Sequence, residues 1–250
     1  MVISRACLSL AAATLLAGAT AFADPPAGTS TAAASVSLGT PMDGRLERGV
    51  ALPARGAGFR LLSEARARKA RFGAAELVGL VEEAAAAVVR RHPGSVLTVG
   101  DLSARKGGRI DHHGSHRSGR DVDLLFYLTN RAGKPVVSPG FVPVDGNGVS
   151  VTPPLKYAFD AGRNWTLVAA LLSSKRADVQ FIFVADHVRA MLLAAADKAR
   201  APRWLVARAE QVLRQPGRKA HWDHFHVRIL CPGDDRPECR DVGPLWSWAK

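Results

Sequence analysis

Residues 221–229 read HWDHFHVRI. From His224 onward polar and apolar side chains alternate, and a strand places residues two apart on the same face. His224 and His226 therefore project together, while Phe225 and Val227 turn toward a core. His224–Leu230 is read on this pattern as the last core strand. Working back along the chain, Val179–Val184, Val122–Leu128 and Val96–Val99 are further strand-like runs. Residues 74–91, AAELVGLVEEAAAAVVRR, repeat Leu77, Val81, Ala84 and Val88 at three-to-four spacing. They predict an amphipathic helix that stops at His92-Pro93-Gly94. Helices are also expected over Asn164–Ser173, from Asp186 as a cap to about Arg200, and from Pro202 to about Arg214. Residues 129–160, broken by Gly133, Pro135, Pro139, Gly140 and Pro153-Pro154, predict a long irregular segment. There is no repeat and no clean strand–helix–strand alternation. The expected fold is one α+β domain, a small antiparallel sheet flanked by helices and long loops.

The chain has 250 residues, 47% hydrophobic and 22% charged. That excludes a disordered chain and suits one domain of about 200 residues. Mean hydropathy is zero, and the one long apolar run lies near the start, which excludes a polytopic membrane protein. Lys and Arg number 34 against 22 Asp and Glu, a net charge of +12, so the surface favours a polyanionic partner. Residues 1–23 read as a secretory signal peptide: Arg5, an apolar Ala6–Thr20 stretch, then Ala21-Phe22-Ala23 before Asp24. An uncleaved anchor is the alternative, but the stretch is short for a span of about 20 residues. Residues 24–50, rich in Ala, Ser, Thr, Pro and Gly, read as a flexible leader to a domain over 51–250. Export with loss of the signal leaves Cys231 and Cys239 in CPGDDRPEC. In an oxidising compartment such a pair favours a disulfide over metal binding. Nucleic acid is then not an expected partner, nor is integral membrane association after signal cleavage.

Six of the eight histidines fall in two clusters: His112, His113 and His116, and His221, His224 and His226. The first cluster belongs to HHGSHRSGRDVDLLF, residues 112–126. Gly119 allows a turn, so a loop histidine can meet Asp123 at the start of the next strand. Two histidines and a carboxylate make a three-ligand set with an open fourth position, the pattern of a catalytic zinc. An H-x-H by itself is weak, and its bland reading is two half-exposed histidines on an amphipathic strand. Asp121 is expected to point away from Asp123 and to support a ligand histidine. No G-x-S-x-G stretch offers a serine nucleophile.

Ser115-His116-x-x-Gly119-x-Asp121-Val122-Asp123, followed by His221-x-x-His224-Phe225-His226-Val227-Arg228, resembles the penicillin-insensitive murein endopeptidases. These sit in the wider group of zinc peptidases with an H-x6-D and a later H-x-H, alongside lysostaphin-type and D-Ala-D-Ala peptidases and the Hedgehog signalling domain. HPGSVLTVGDLSARKGG, NWTLVAALL and FIFVADHVRAMLL extend the similarity over about residues 40–245. The resemblance implies Zn2+ held by His116, Asp123 and His226, with His224 and His221 as catalytic residues beside it. It makes His113 a candidate for a second ion. It implies a periplasmic peptidase that hydrolyses the D-alanyl–meso-diaminopimelyl cross-link of peptidoglycan and is insensitive to penicillin. Arg105 and Trp222 are candidate substrate contacts, each with an ordinary surface or packing role as the alternative. Three other functions compete: a D,D-carboxypeptidase, a zinc-stabilised wall-binding module without activity, and a secreted metal-dependent nuclease.

Overall fold

Alternation along two adjacent strands gives their sheet one apolar face and one charged face. The computed structural model describes residues 1–2, 34–62, 69–153, 156–217 and 221–249. Past Val2, the signal-peptide stretch lies outside the described residues. Ala33–Lys250 forms one compact unit, built on a seven-stranded sheet. In chain order its strands are β1 (Arg55–Gly56), β2 (Phe59–Leu61), β3 (Leu97–Val99), β4 (Asp121–Leu125), β5 (Val179–Phe183), β6 (Leu213–Arg214) and β7 (His224–Ile229). The spatial order is β6-β5-β7-β4-β3-β2-β1. Its centre, β5-β7-β4-β3, is antiparallel, while β2 with β3 and β6 with β5 pair in parallel. The site-bearing part is thus antiparallel as expected, within a larger mixed sheet.

On one face Val122, Leu124, Phe225, Val227 and Ile229 enter the core. Helices α1 (Ala75–Arg91), α2 (Ala161–Ser173), α3 (Asp186–Lys198) and α4 (Arg203–Val212) contribute to the same core. Helix α1 buries Leu77, Val78, Leu80, Val81, Ala84, Ala85 and Val88, the stripe its spacing predicts. It ends at Arg91, and Gly94 follows at φ 82°. Asp186 begins α3 rather than capping it: Ala185 occupies the cap, with no side-chain bond. Its carboxylate still sits at the positive end of the helix dipole.

Two expected loops are more ordered than their composition suggests. Leu128–Asn130, Pro135–Val136 and Tyr157–Phe159 form a small antiparallel sheet within the expected irregular segment. The leader expectation needs correcting more strongly. Val36–Gly39 pairs with Gly44–Glu47 as a hairpin, and Leu46 is fully buried. Ser37 donates its N–H to Asp235 (2.8 Å) and its hydroxyl to the Ser118 carbonyl (2.8 Å). Gly39 exchanges backbone bonds with Glu238 and Arg240. Those partners lie far away in sequence, so composition could not reveal them.

Cys231 and Cys239 form a disulfide, eight residues apart. Closing so short a loop stabilises by about 2–3 kcal/mol on the chain-entropy account. The Cys231→Ser/Cys239→Ser double variant should lose that amount in urea unfolding. A loss below about 0.5 kcal/mol would show that the surrounding contacts hold the loop unaided.

Candidate metal centre

The opposite face of β4 and β7 is charged. Asp123 pairs with His226 and Asp121 with Arg228 across the strands. Both carboxylates are on this face, which corrects the expectation that Asp121 points away. Residues two apart on a strand share a side, so Asp121 could not turn from Asp123 while both stayed in β4. Loops cover the face so fully that Asp121 and Asp123 are at most 1% exposed. Two buried carboxylates are costly without partners; Asp121 is hydrogen-bonded at both oxygens, whereas Asp123 is surrounded by imidazoles.

Asp121 supports the cluster. Its Oδ1 accepts from Nε2 of His226 (2.8 Å) and from Nε of Arg228 (2.7 Å), and Oδ2 accepts from the His116 N–H (3.2 Å). Burial opposes its charge, but Arg228 and His226 outweigh that and hold its pKa well below the usual carboxylate range. Its inferred role as the orienting carboxylate of a histidine thus matches the geometry.

The loop from 101 to 119 brings the first cluster over the sheet. His116 has φ 65° and His112 φ 68°, left-handed values uncommon for non-glycine residues. Gly119 has φ 78°, and a Cβ there would meet Leu46 at 2.6 Å, so the turn requires glycine. His116 is fully buried. Its Nδ1 is 2.9 Å from the Leu102 carbonyl; a carbonyl can only accept, so Nδ1 carries a proton, and in the neutral ring a metal ligand needs, Nε2 keeps its lone pair. That Nε2 faces Asp123 Oδ1 at 3.3 Å.

Asp123 Oδ1 is ringed by imidazole nitrogens: His116 Nε2 at 3.3 Å, His224 Nε2 at 3.5 Å and His226 Nδ1 at 3.8 Å. Among the described residues, neither His116 Nε2 nor Asp123 Oδ1 has a hydrogen-bond partner, although both atoms are buried. Two acceptors facing each other in a dry site repel unless a cation lies between them. A tetrahedral ion with bonds of about 2.1 Å separates its ligand atoms by about 3.4 Å. The donor set therefore fits a metal ion, with Leu102 and Asp121 fixing the far nitrogens of His116 and His226. His113, His116 and Asp123 also present ligand atoms within 4.8 Å of one another. His113 Nε2 bonds Asp101 Oδ2 (2.9 Å), leaving Nδ1 3.8 Å from Asp123 Oδ2.

Electrostatics divide the histidines. Burial pushes His226 down to about 4, against the pull of Asp121. His224 is buried too, but Asp123 and Asp223 outweigh that and hold it up at about 9. Burial likewise opposes charge on His116, and Asp123 overcomes it and raises its pKa. Asp123 itself is held well below its ordinary value because His116 and His224 outweigh its burial.

His112, His113, Asp123, Phe141, His221, His224 and His226 line a cleft of about 210 Å³. The structure thus brings together His113, His116, Asp123, His221, His224 and His226. Arg105 is exposed, and its backbone lies near Gly49 of the N-terminal segment. Trp222 is 42% exposed. Neither is among the residues lining the cleft. Sequence reading missed Asp101, Phe141, the ion-pairing role of Arg228, and Asp223. Asp223 stood beside His224 in the quoted stretch and was the most visible of them.

Residues 37–246 match the family described as penicillin-insensitive murein endopeptidase. Curated proteins of that name are similar to this chain. The one from Pectobacterium atrosepticum is 31% identical over 182 residues, 68% of this chain and 56% of that protein. The one from Klebsiella pneumoniae is 28% identical over 215 residues, 83% and 70% respectively. One from Salmonella heidelberg is 29% identical over 175 residues, 68% and 57%. The chain thus spans between 56% and 70% of these relatives' lengths.

Proposed function

The chain belongs to the penicillin-insensitive murein endopeptidase family, and from that premise we propose that it is a zinc-dependent peptidoglycan endopeptidase acting outside the cytoplasmic membrane. The observation that carries the metal is the pair of buried, unpartnered acceptors, His116 Nε2 and Asp123 Oδ1, facing each other at 3.3 Å. On this reading His116, Asp123 and His226 hold Zn2+, and His113 is a candidate ligand for a second ion. When bound, zinc supplies Lewis acidity and lowers the pKa of a coordinated water.

The chain's own groups do the rest. His226 stays neutral because burial holds its pKa near 4, as a ligand imidazole must. His224, its pKa raised against burial by Asp123 and Asp223 to about 9, turns Nε2 toward Asp123. It is placed to donate to the amide oxygen as charge develops there, or to the departing amine. His221, 4.9 Å from His224 between ring centroids, lines the same cleft. The bond proposed for hydrolysis is the D-alanyl–meso-diaminopimelyl cross-link, and the basic chain (+12) suits an anionic wall polymer. Arg105 and Trp222 remain candidate contacts only for substrate that extends beyond the cleft. Among the described residues no helix is long and apolar enough to cross a membrane.

Digestion of cross-linked peptidoglycan tests this reading. Dimeric muropeptides should become monomers in the presence of a β-lactam. A β-lactam acylates a serine, and among the described residues no serine or cysteine lines the cleft. Chelation should stop the reaction and zinc restore it. Release of free D-alanine from intact dimers would indicate a carboxypeptidase instead. Zinc binding with no change in either product would leave a wall-binding module, and DNA degradation would point to a nuclease.

A further inference from the structure

We propose that Asp223 is a positioning residue that fixes the ring orientation of His224 and holds a proton on its Nδ1, so that its Nε2 alone faces the cleft. The inference rests on the catalytic reading of His224 above. Asp223 Oδ1 lies 2.6 Å from His224 Nδ1. A carboxylate accepts, so the proton of that bond sits on Nδ1.

Chain geometry explains how adjacent residues can meet. Consecutive side chains within a strand diverge to opposite faces. Asp223 lies one residue before β7 begins at His224, so it escapes the alternation and folds back along the ring. The remaining sides of His224 are also held. Phe141 meets the ring edge-on at 5.0 Å between centroids, with the planes 84° apart. His221 lies at 4.9 Å. A ring bonded at Nδ1 and packed by two others has one nitrogen left to present, and that nitrogen is 3.5 Å from Asp123 Oδ1.

The local pattern parallels the other imidazoles of the site. His116 is held at Nδ1 by the Leu102 carbonyl, and His226 at Nε2 by Asp121. In each case the nitrogen away from Asp123 is occupied by an acceptor and the other turns toward it. His224 differs in drawing its acceptor from the neighbouring residue in sequence. The side chain of Asp223 is 25% exposed, and without it His224 still has Asp123 beside Nε2.

The test compares Asp223→Asn and Asp223→Glu with wild type in the zinc-loaded full chain. Imidazole proton–nitrogen spectra should show a proton on His224 Nδ1, shifted downfield by the carboxylate. Asp223→Asn should lose that shift, because a neutral amide no longer offers a carboxylate to the Nδ1 proton. In dimeric muropeptide cleavage, Asp223→Asn should lower kcat about 10²-fold at nearly unchanged KM and full zinc content. Asp223→Glu should recover most of the rate. An Asn variant within threefold of wild-type kcat would overturn the proposal. So would a His224 whose Nδ1 carries no proton, or a rate loss in both variants accompanied by loss of zinc. The spectra report the Nδ1 proton whether or not the wild type cleaves murein, so failure of the enzymatic reading is visible separately.

Discussion

His116→Ala is expected to abolish stoichiometric zinc binding and to reduce murein cleavage by at least about 10³-fold. Of the three proposed ligands, His116 is the most buried and has its second nitrogen fixed by the Leu102 carbonyl. Its removal takes one of the two facing acceptors and leaves Asp123 Oδ1 among imidazoles alone. With the metal go the Lewis acid and the activated water, and loss of a single transition-state donor already costs 10²–10³ in other hydrolases. Asp123→Ala and His226→Ala should behave alike. Elemental analysis of the purified variants checks this; a full equivalent of zinc in all three would remove the ligand assignment.

Asp121→Asn is expected to destabilise the protein and to weaken zinc binding, although Asp121 is not a proposed ligand. Asp121 accepts from Arg228, His226 and the His116 N–H. An amide cannot satisfy all three and leaves Arg228 buried without a counter-ion, a loss of about 3–5 kcal/mol. Zinc affinity should fall about 10–100-fold because the ring of His226 loses its anchor. Urea unfolding of the apoprotein and a zinc titration measure the two effects. A stability change under 1 kcal/mol would show that Arg228 finds another partner. The wild type should show a matching acid response. The folded-state pKa of Asp121 is depressed, so its stabilisation is complete above the unfolded value of about 3.9. It is lost as the pH falls from there toward the folded value. The Asn variant should show a shallower decline below about pH 4.

The legible parts of the molecule are those whose cause is local. Helix α1 follows from the spacing of Leu77, Val81, Ala84 and Val88 and the Pro93-Gly94 stop. The faces of β7 follow from alternation in HFHVRI, and the turn at Gly119 from glycine's freedom at positive φ. The N-terminal hairpin was illegible because its bonds go to Ser118, Asp235, Glu238 and Arg240. Asp121 was misplaced through a misapplied rule, since the period of two was already visible in β4. His113 was marked as a candidate, but its partner Asp101 reaches it only through tertiary folding. The grouping of the histidines suggested a metal, whereas choosing among His224 and His226 required the resemblance. Geometry adds what each ring's far nitrogen touches: Asp223 for His224, Asp121 for His226.

The 105-residue separation between Asp121 and the His226 it holds also sets a delay. Synthesis at roughly 5–20 residues per second puts about 5–20 seconds between the appearance of these two groups. During that interval the growing chain carries His113, His116 and Asp123 but has no β7 to complete the sheet or present His224 and His226. Zinc can meet only part of its ligand set, and the histidine assigned to the chemistry does not yet exist. A nascent chain arrested at residue 210 should therefore be inert toward murein however much zinc is supplied. On the proposed reading, hydrolytic power waits for the strand that carries His224 and His226.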